Sequence, residues 1–204
     1  LYNAIDLAEI ERIRSQKEEL RSRIRREQGL PADAFLVTVV ARLVAVKRID
    51  RFIDAFGNAL FSEPGLTALL VGNGPLYEKL AGRISKSGLQ ERVRLLGHRR
   101  DAKSITAASD LFVLPSTGES FGIAALEAIA LEVPVAVFSD AGGPLEFIVD
   151  GKNGYVVSDK AALAKCIVAC KQKPPAFSPL GTEFNNFGDI NNYARRIREI
   201  YDEL

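Results

Sequence analysis

The chain has 204 residues, of which 47% are hydrophobic and 26% are charged, with 27 basic side chains against 26 acidic ones. This composition is typical of a globular domain and excludes a disordered or fibrous chain. The net charge of +1 indicates no broad surface for nucleic acid, and two cysteines cannot form a disulfide scaffold. No apolar run approaches the roughly 18 residues of a membrane-spanning helix, and no signal peptide opens the chain, so we expect a cytoplasmic protein.

The first predicted element is a charged helix over residues 9–27. Its apolar side chains follow one another at helical steps and form a narrow stripe; they are Ile10, Ile13, Leu20 and Ile24. Gly29 ends this helix and Pro31 blocks its continuation. The chain starts at Leu1, not at a methionine, so we expect it to be a piece of a longer protein.

Beyond residue 34, short apolar runs alternate with helical patterns. The predicted strands are 35–41, 66–71, 93–96, 111–114, 134–138 and 155–157. The predicted helices are 49–61, 75–87, 101–109, 121–131, 143–149 and 160–171, followed by a loop over 172–187 and a closing helix over 188–204. This alternation predicts an α/β fold, with one doubly wound, Rossmann-like parallel sheet of about six strands. The whole chain is then a single domain, in which residues 1–34 are a linker and a first helix.

Cations follow the first predicted strand. In open parallel sheets, ligands bind beyond the carboxyl ends of the strands. Arg42 lies directly after the strand, and Lys47 and Arg48 come five residues later, before a predicted helix. Cationic side chains beside the free N–H groups of a helix start suit a diphosphate, whereas the alternative is an ordinary solvated surface.

Two glycines follow the second predicted strand. Gly72 and Gly74 could begin a dinucleotide-binding fingerprint, but Tyr77 stands where the third glycine belongs. A tight turn between strand and helix is therefore the favoured interpretation.

The fourth strand end, LPSTGESFGIAALEAIA, carries the strongest signal for a site. Ser120 is the expected N-cap of a helix that begins near Phe121. The N–H groups of Phe121, Gly122 and Ile123 would then face the cleft and bind an anion.

Two carboxylates, Glu119 and Glu127, flank this turn. Glu127 stands among alanines and a leucine, and a carboxylate in apolar surroundings needs a partner. A ribose diol would serve, and the alternative is a salt bridge. Asp140, at the fifth strand end, either lines the same cleft or caps a helix.

Several segments together resemble a known family: ARLVAVK, LLVGNGP, VRLLGH, ASDLFVLPS, ESFGIAALEA and GGPLEFIVDGKNG. In this order they resemble the C-terminal, nucleotide-sugar-binding domain of retaining glycosyltransferases of GT-B fold, family 4 or "group 1". The resemblance spans about residues 35–160, and residues 1–6 resemble the linker that enters the domain. It implies that this chain is the C-terminal half of a GT-B architecture and lacks the N-terminal acceptor domain.

The resemblance also implies roles for individual residues. Arg42 and Lys47 would bind the donor diphosphate and stabilise the leaving group, and Glu119 would hold hydroxyls of the transferred sugar. Glu127 would hold the ribose hydroxyls. The remaining substrate-binding residues would be Ser120, Phe121, Gly122 and Ile123 at the helix start, and His98 and Arg99 beside the base. Two positions depart from the family, because Arg48 and Glu132 stand where glycine is common.

The implied reaction is transfer of a hexosyl unit, with retention, from a nucleotide diphosphate sugar to an acceptor hydroxyl. We expect a UDP-linked donor, no metal cofactor, and a product in bacterial surface polysaccharide or glycolipid synthesis. The acceptor would be bound mainly by the other domain, and the full-length protein could associate with the inner face of the cytoplasmic membrane. A GT-B epimerase or phosphorylase, and a non-catalytic nucleotide-binding module, remain as alternatives.

Overall fold

The computed structural model describes residues 5–173. They form six strands, which are β1 (Phe35–Val40), β2 (Leu66–Val71), β3 (Val93–Gly97), β4 (Leu111–Leu114), β5 (Val135–Phe138) and β6 (Gly154–Val157). The α-helices are α1 (Leu7–Ser15), α2 (Lys17–Glu27), α3 (Ile49–Ser62), α4 (Tyr77–Lys86), α5 (Ala102–Ala107), α6 (Ile123–Ala130) and α7 (Lys160–Gln172). Two 3-10 helices, Ala45–Lys47 and Gly143–Glu146, follow β1 and β5.

The six strands are parallel and lie in the order β3-β2-β1-β4-β5-β6. The chain builds outwards from β1 to β3 and then returns to build outwards again from β4. The predicted doubly wound sheet is therefore confirmed, and its switch point lies between β1 and β4.

Helices cover both faces of the sheet. One core packs α1, α2, α5 and α6 against one face, and a second core packs α3, α4 and α7 against the other. Strands between two such layers are buried on both sides, which explains why the sequence shows continuous apolar runs rather than alternation. No helix within residues 5–173 is both long enough and apolar enough to cross a bilayer.

The prediction of one helix over residues 9–27 is wrong, because the structure has two helices that meet at Gln16. Gln16 leaves helical geometry at φ −105° and ψ 12°, and its N–H donates to the Ile13 carbonyl at 3.1 Å. This bend keeps the stripe from both helices in the same core. The predicted helix 143–149 is a 3-10 helix of four residues, and the closing helix 188–204 lies outside the described residues.

Arg48 and Glu132 share an unusual backbone conformation. Their φ angles are 46° and 56°, and they are the non-glycine residues with positive φ in the described part of the chain. Glycine adopts this left-handed region without steric cost, whereas other L-residues do not. The two departures from the family's glycines thus fall at positions whose geometry favours glycine.

Candidate active site

A cleft of about 240 Å³ opens at the carboxyl edge of the sheet, at the switch point. Val40 and Leu114, the last residues of β1 and β4, form its floor. Lys47 lines one side, and residues 119–124 line the other. Open α/β sheets bind their ligands at this place.

Lys47 and Glu119 form an ion pair inside the cleft, Nζ to Oε2. Their side chains are 23% and 17% exposed, so solvent screens the pair less than it screens a surface salt bridge. The pair joins the loop after β1 to the loop after β4 across the switch point. It presents one cation and one carboxylate to a ligand.

Backbone pairing with the loop after β5 holds Glu119 in place. The Glu119 N–H donates to the Ala141 carbonyl at 2.7 Å, and the Gly143 N–H donates to the Glu119 carbonyl at 2.8 Å. Both backbone polar groups of Glu119 are therefore engaged, and only its side chain is free to reorient.

The N-cap of helix α6 is Gly122, not Ser120. Gly122 is the N-cap at φ 85°, and its carbonyl accepts from the N–H groups of Ala125 and Leu126 at 2.9 and 3.1 Å. The prediction of Ser120 as N-cap is wrong because the left-handed turn at Gly122 delays the helix by two residues. The N–H groups of the first helical residues, which have no intrahelical acceptor, belong to Ile123 and the residue after it, and both residues line the cleft.

The other residues of this turn divide between cleft and core. Ser120 is exposed and lines the cleft. The Phe121 ring is 7% exposed and packs on Phe147 with ring centroids 5.5 Å apart. Its side chain therefore anchors the turn to the core.

Glu127 has a protein partner, Lys103 of α5. Lys103 Nζ lies 3.3 Å from Glu127 Oε1 and also forms an ion pair with Glu9 of α1. Burial raises the pKa of Glu127 above its ordinary value, although the Lys103 ammonium opposes the rise. Glu127 therefore forms a salt bridge with a lysine of another helix, and this contact leaves the ribose role of Glu127 a prediction.

The basic side chains after β1 have different surroundings. Arg42 is exposed, and within residues 5–173 its side chain forms no hydrogen bond or ion pair. Arg48 forms an ion pair with Asp50 at 3.3 Å and lines a groove between α3 and α4. Arg48 therefore does not supply a third cation to the cleft.

The loop after β3 carries His98 and Arg99. His98 is exposed, while Arg99 donates two hydrogen bonds of 2.8 Å to Asp101 and lies 3.9 Å from Glu27. These contacts turn the guanidinium towards α2. The structure thus brings together Lys47, Glu119 and the start of α6. Four of the predicted site residues do not line this cleft, and they are Arg42, His98, Arg99 and Glu127.

Sequence reasoning missed one residue beside the site, Arg51. Its side chain is buried and binds Asp140 through two hydrogen bonds of 2.8 and 2.9 Å. This bonding lowers the pKa of Asp140. Asp140 caps no helix, because the 3-10 helix that follows it has Gly142 at its N-cap, and Asp140 does not line the cleft. A signal was present, because an arginine on the apolar face of a predicted helix requires a buried acceptor.

The turn after β2 is tight, as predicted. A Cβ at Gly72, where φ is 140°, would lie 1.8 Å from the Ala41 carbonyl oxygen, so this glycine permits two loops to touch. Within residues 5–173, no three His, Cys, Asp or Glu side chains come together in a group that could hold a metal ion.

Comparison with known proteins matches residues 21–174 to the family described as Glycosyl transferases group 1. The GtfA subunit of a UDP-N-acetylglucosamine–peptide N-acetylglucosaminyltransferase from Streptococcus gordonii is 35% identical over 84% of this chain and 33% of its own length. The alpha-monoglucosyldiacylglycerol synthase of Acholeplasma laidlawii is 28% identical over 86% of this chain and 45% of its own length.

A solved structure matches the whole chain. The crystal structure of Anabaena HepE in complex with UDP and glucose superposes with a TM-score of 0.86 and 27% identity, over 100% of this chain and 56% of that one. The chain therefore spans about a third to a little over half the length of these similar proteins.

Proposed function

The chain belongs to the group 1 glycosyltransferases, and from this premise we propose that it is the donor-binding half of a retaining enzyme. It would transfer a hexosyl unit from a UDP-linked sugar to an acceptor hydroxyl in surface polysaccharide or glycolipid synthesis. The observation that carries the proposal is the Lys47–Glu119 ion pair, which faces the start of α6 at the switch point of the sheet.

The cleft suits a diphosphate for electrostatic reasons. Lys47 supplies a full positive charge, and the start of α6 adds about half a charge together with free N–H donors. Arg42, exposed at the same strand end and without a protein partner among the described residues, is available to join a bound phosphate. These groups neutralise the leaving diphosphate without a metal ion, which is the basis for proposing that none is needed.

The carboxylates serve the sugar and the nucleoside. Glu119 is already turned into the cleft by Lys47, so it can accept hydrogen bonds from sugar hydroxyls while Lys47 moves to the phosphate. Glu127 would accept from the ribose hydroxyls, with Lys103 balancing its charge. The loop with His98 and Arg99 would line the base. UDP is the favoured nucleotide because the similar HepE structure is a complex with UDP and glucose.

The reaction follows from this placement. The bond between the anomeric carbon and the diphosphate oxygen breaks, and the negative charge that develops on that oxygen is stabilised by Lys47 and the helix start. The acceptor oxygen bonds to the anomeric carbon from the same face, and its proton passes to the departing phosphate. Glu119 positions the sugar and forms no covalent bond to it.

A second domain would bind the acceptor. The chain covers 33%, 45% and 56% of the length of the three similar proteins, which supports a division of labour between a donor half and an acceptor half. We place the complete enzyme in the cytoplasm or at the inner face of the cytoplasmic membrane. Fractionation of cells that express it tests this placement.

Calorimetric titration of the chain with UDP, GDP and ADP tests the proposed function. We expect UDP to bind, and binding of none of the three would refute the proposal. Lys47→Ala should weaken UDP binding about 10- to 150-fold, the value of one charge-assisted hydrogen bond, while the affinity for uridine changes little. Equal losses for UDP and uridine would contradict the role of Lys47 at the diphosphate.

A further inference from the structure

Two arginines in the described part of the chain are almost fully buried, one at each edge of the sheet. Arg51 is 7% exposed and lies in the first turn of α3 at the carboxyl edge. Arg25 is 4% exposed and lies in α2 at the amino edge. Burying a charge is expensive, so each must do something that an apolar side chain cannot do.

The guanidinium of Arg51 joins two loops of the sheet edge. It donates to the carbonyls of Pro115 and Ser116, both at 2.7 Å, directly after β4. It donates to both carboxylate oxygens of Asp140, at 2.8 and 2.9 Å, two residues after β5 ends. Its central carbon lies 3.7 Å from the centroid of the Phe138 ring. Four hydrogen bonds and a ring contact leave the planar group no second orientation.

The loop after β4 that Arg51 holds carries Glu119 and also contacts the loop that carries Lys47. The Thr117 N–H, one residue beyond Ser116, donates at 3.0 Å to the carbonyl of Val46, the neighbour of Lys47. The Glu119 N–H donates to the residue after Asp140. Arg51 thus connects to each member of the Lys47–Glu119 pair through one backbone hydrogen bond, and it does not line the cleft itself.

From this arrangement we propose that Arg51 is a positioning residue for the donor sugar. Arg51 fixes the loop at 115–118, and this loop determines the position and orientation of the Glu119 side chain in the cleft. A well-packed apolar side chain can match a buried, paired charge in stability, so the distinctive contribution of Arg51 is the orientation of these loops. This inference rests on the proposed function, because it assumes that Glu119 binds the sugar of the donor.

The ratio of the dissociation constant for UDP to that for a UDP-sugar tests the proposal, because this ratio measures what the sugar adds to the affinity. Calorimetry with UDP, UDP-glucose and UDP-N-acetylglucosamine first shows which UDP-sugar the wild-type chain binds, and how much the sugar adds to the affinity for UDP. In Arg51→Met we expect the sugar's contribution to fall up to about tenfold, the value of one hydrogen bond between Glu119 and a sugar hydroxyl, while the affinity for UDP changes less. In Glu119→Gln, adding Arg51→Met should have no further effect on the sugar's contribution.

Arg25 supplies a matched control. It donates to the carbonyls of Ala108 and Ala34 at 2.9 and 3.1 Å and to Asp110 at 2.8 Å, but at the opposite edge. Arg25→Met removes a similar buried cluster and should lower stability without changing the ratio. If Arg51→Met does not fold, Asp140→Asn serves in its place, because its half-exposed side chain tolerates the amide; we then expect a smaller loss of the same sign.

The possible results distinguish a failure of the proposed function from a failure of the role proposed for Arg51. A wild-type chain that binds neither UDP nor a UDP-sugar would refute the proposed function and this inference with it. A wild-type chain that binds both, with the ratio unchanged in Arg51→Met or in Asp140→Asn, would overturn the role of Arg51 and leave the proposed function standing. Equal changes of the ratio in the Arg51 and Arg25 variants would also overturn it, since they would indicate general loosening.

Discussion

The substitution Gly122→Ala adds one methyl group at the N-cap of α6 and tests whether the packing there requires glycine. The φ of Gly122 is 85°, and a Cβ built there would lie 2.6 Å from Cγ of Pro144 and 3.2 Å from Cδ2 of Leu114. The proline ring is rigid, so the backbone of one loop must move. We therefore predict that Gly122→Ala destabilises the chain and shifts the helix start that lines the cleft.

The size of the effect follows from two costs. The left-handed conformation costs an alanine roughly 1–2 kcal/mol, and the steric overlap costs about 1–3 kcal/mol. Together they lower the unfolding free energy by about 2–5 kcal/mol, which for a domain of this size lowers Tm by roughly 4–20 °C. Thermal unfolding followed by circular dichroism measures this shift, and calorimetry with UDP measures the accompanying loss of affinity.

Gly118 provides the control, four residues earlier in the same loop. Its φ is 61°, but a Cβ there meets no atom within 4 Å. Gly118→Ala therefore incurs only the conformational cost, roughly 1–2 kcal/mol. If Gly122→Ala is no less stable than Gly118→Ala, the steric part of the argument is refuted.

Further predictions concern backbone strain, charge and metal. Arg48→Gly and Glu132→Gly should each raise the unfolding free energy by about 0.5–1 kcal/mol, because relief of positive φ outweighs the entropy of glycine; a decrease in urea unfolding experiments for either would contradict this. Glu127→Gln should be at least as stable as wild type at pH 7, because the raised pKa of Glu127 means that its charge disfavours folding. As the pH falls from the raised value towards the ordinary value of about 4.3, wild type takes up a proton on folding and the advantage of Glu127→Gln should shrink; Tm values from pH 4 to 8 that show a constant difference would oppose it. Affinity for UDP should be the same in EDTA and in added Mg²⁺, and a loss in EDTA would indicate a metal-dependent site.

The strands could be predicted from the sequence because a strand that is buried on both faces appears as a short continuous run of apolar residues. The residue at which helix α6 begins was harder to predict. Ser120 is a good N-cap by local preference, but packing between Gly122 and Pro144, 22 residues apart in the chain, decides where α6 begins. Local preference gives way when a tertiary contact requires a conformation that only glycine adopts easily.

The contacts of Arg51 show what a sequence pattern does not contain. Its acceptors lie 64, 65 and 89 residues away, and two of them are backbone carbonyls. Every residue has a carbonyl, so no residue type marks them as partners. Glu127 gives the opposite case, because its need for a partner follows from its apolar neighbours, and only the identity of Lys103 required the structure.

The central claim is that a donor nucleotide binds at the switch point, and mapping of UDP by NMR tests it most directly. With the ¹⁵N-labelled chain, we predict that the largest backbone amide shifts on adding UDP occur at Lys47 and at residues 119–124. A larger groove of about 850 Å³ between α3 and α4 also carries cations; they are Arg48, Lys79, Arg83 and Lys86. Shifts centred on that groove, with the switch-point residues unmoved, would contradict the account.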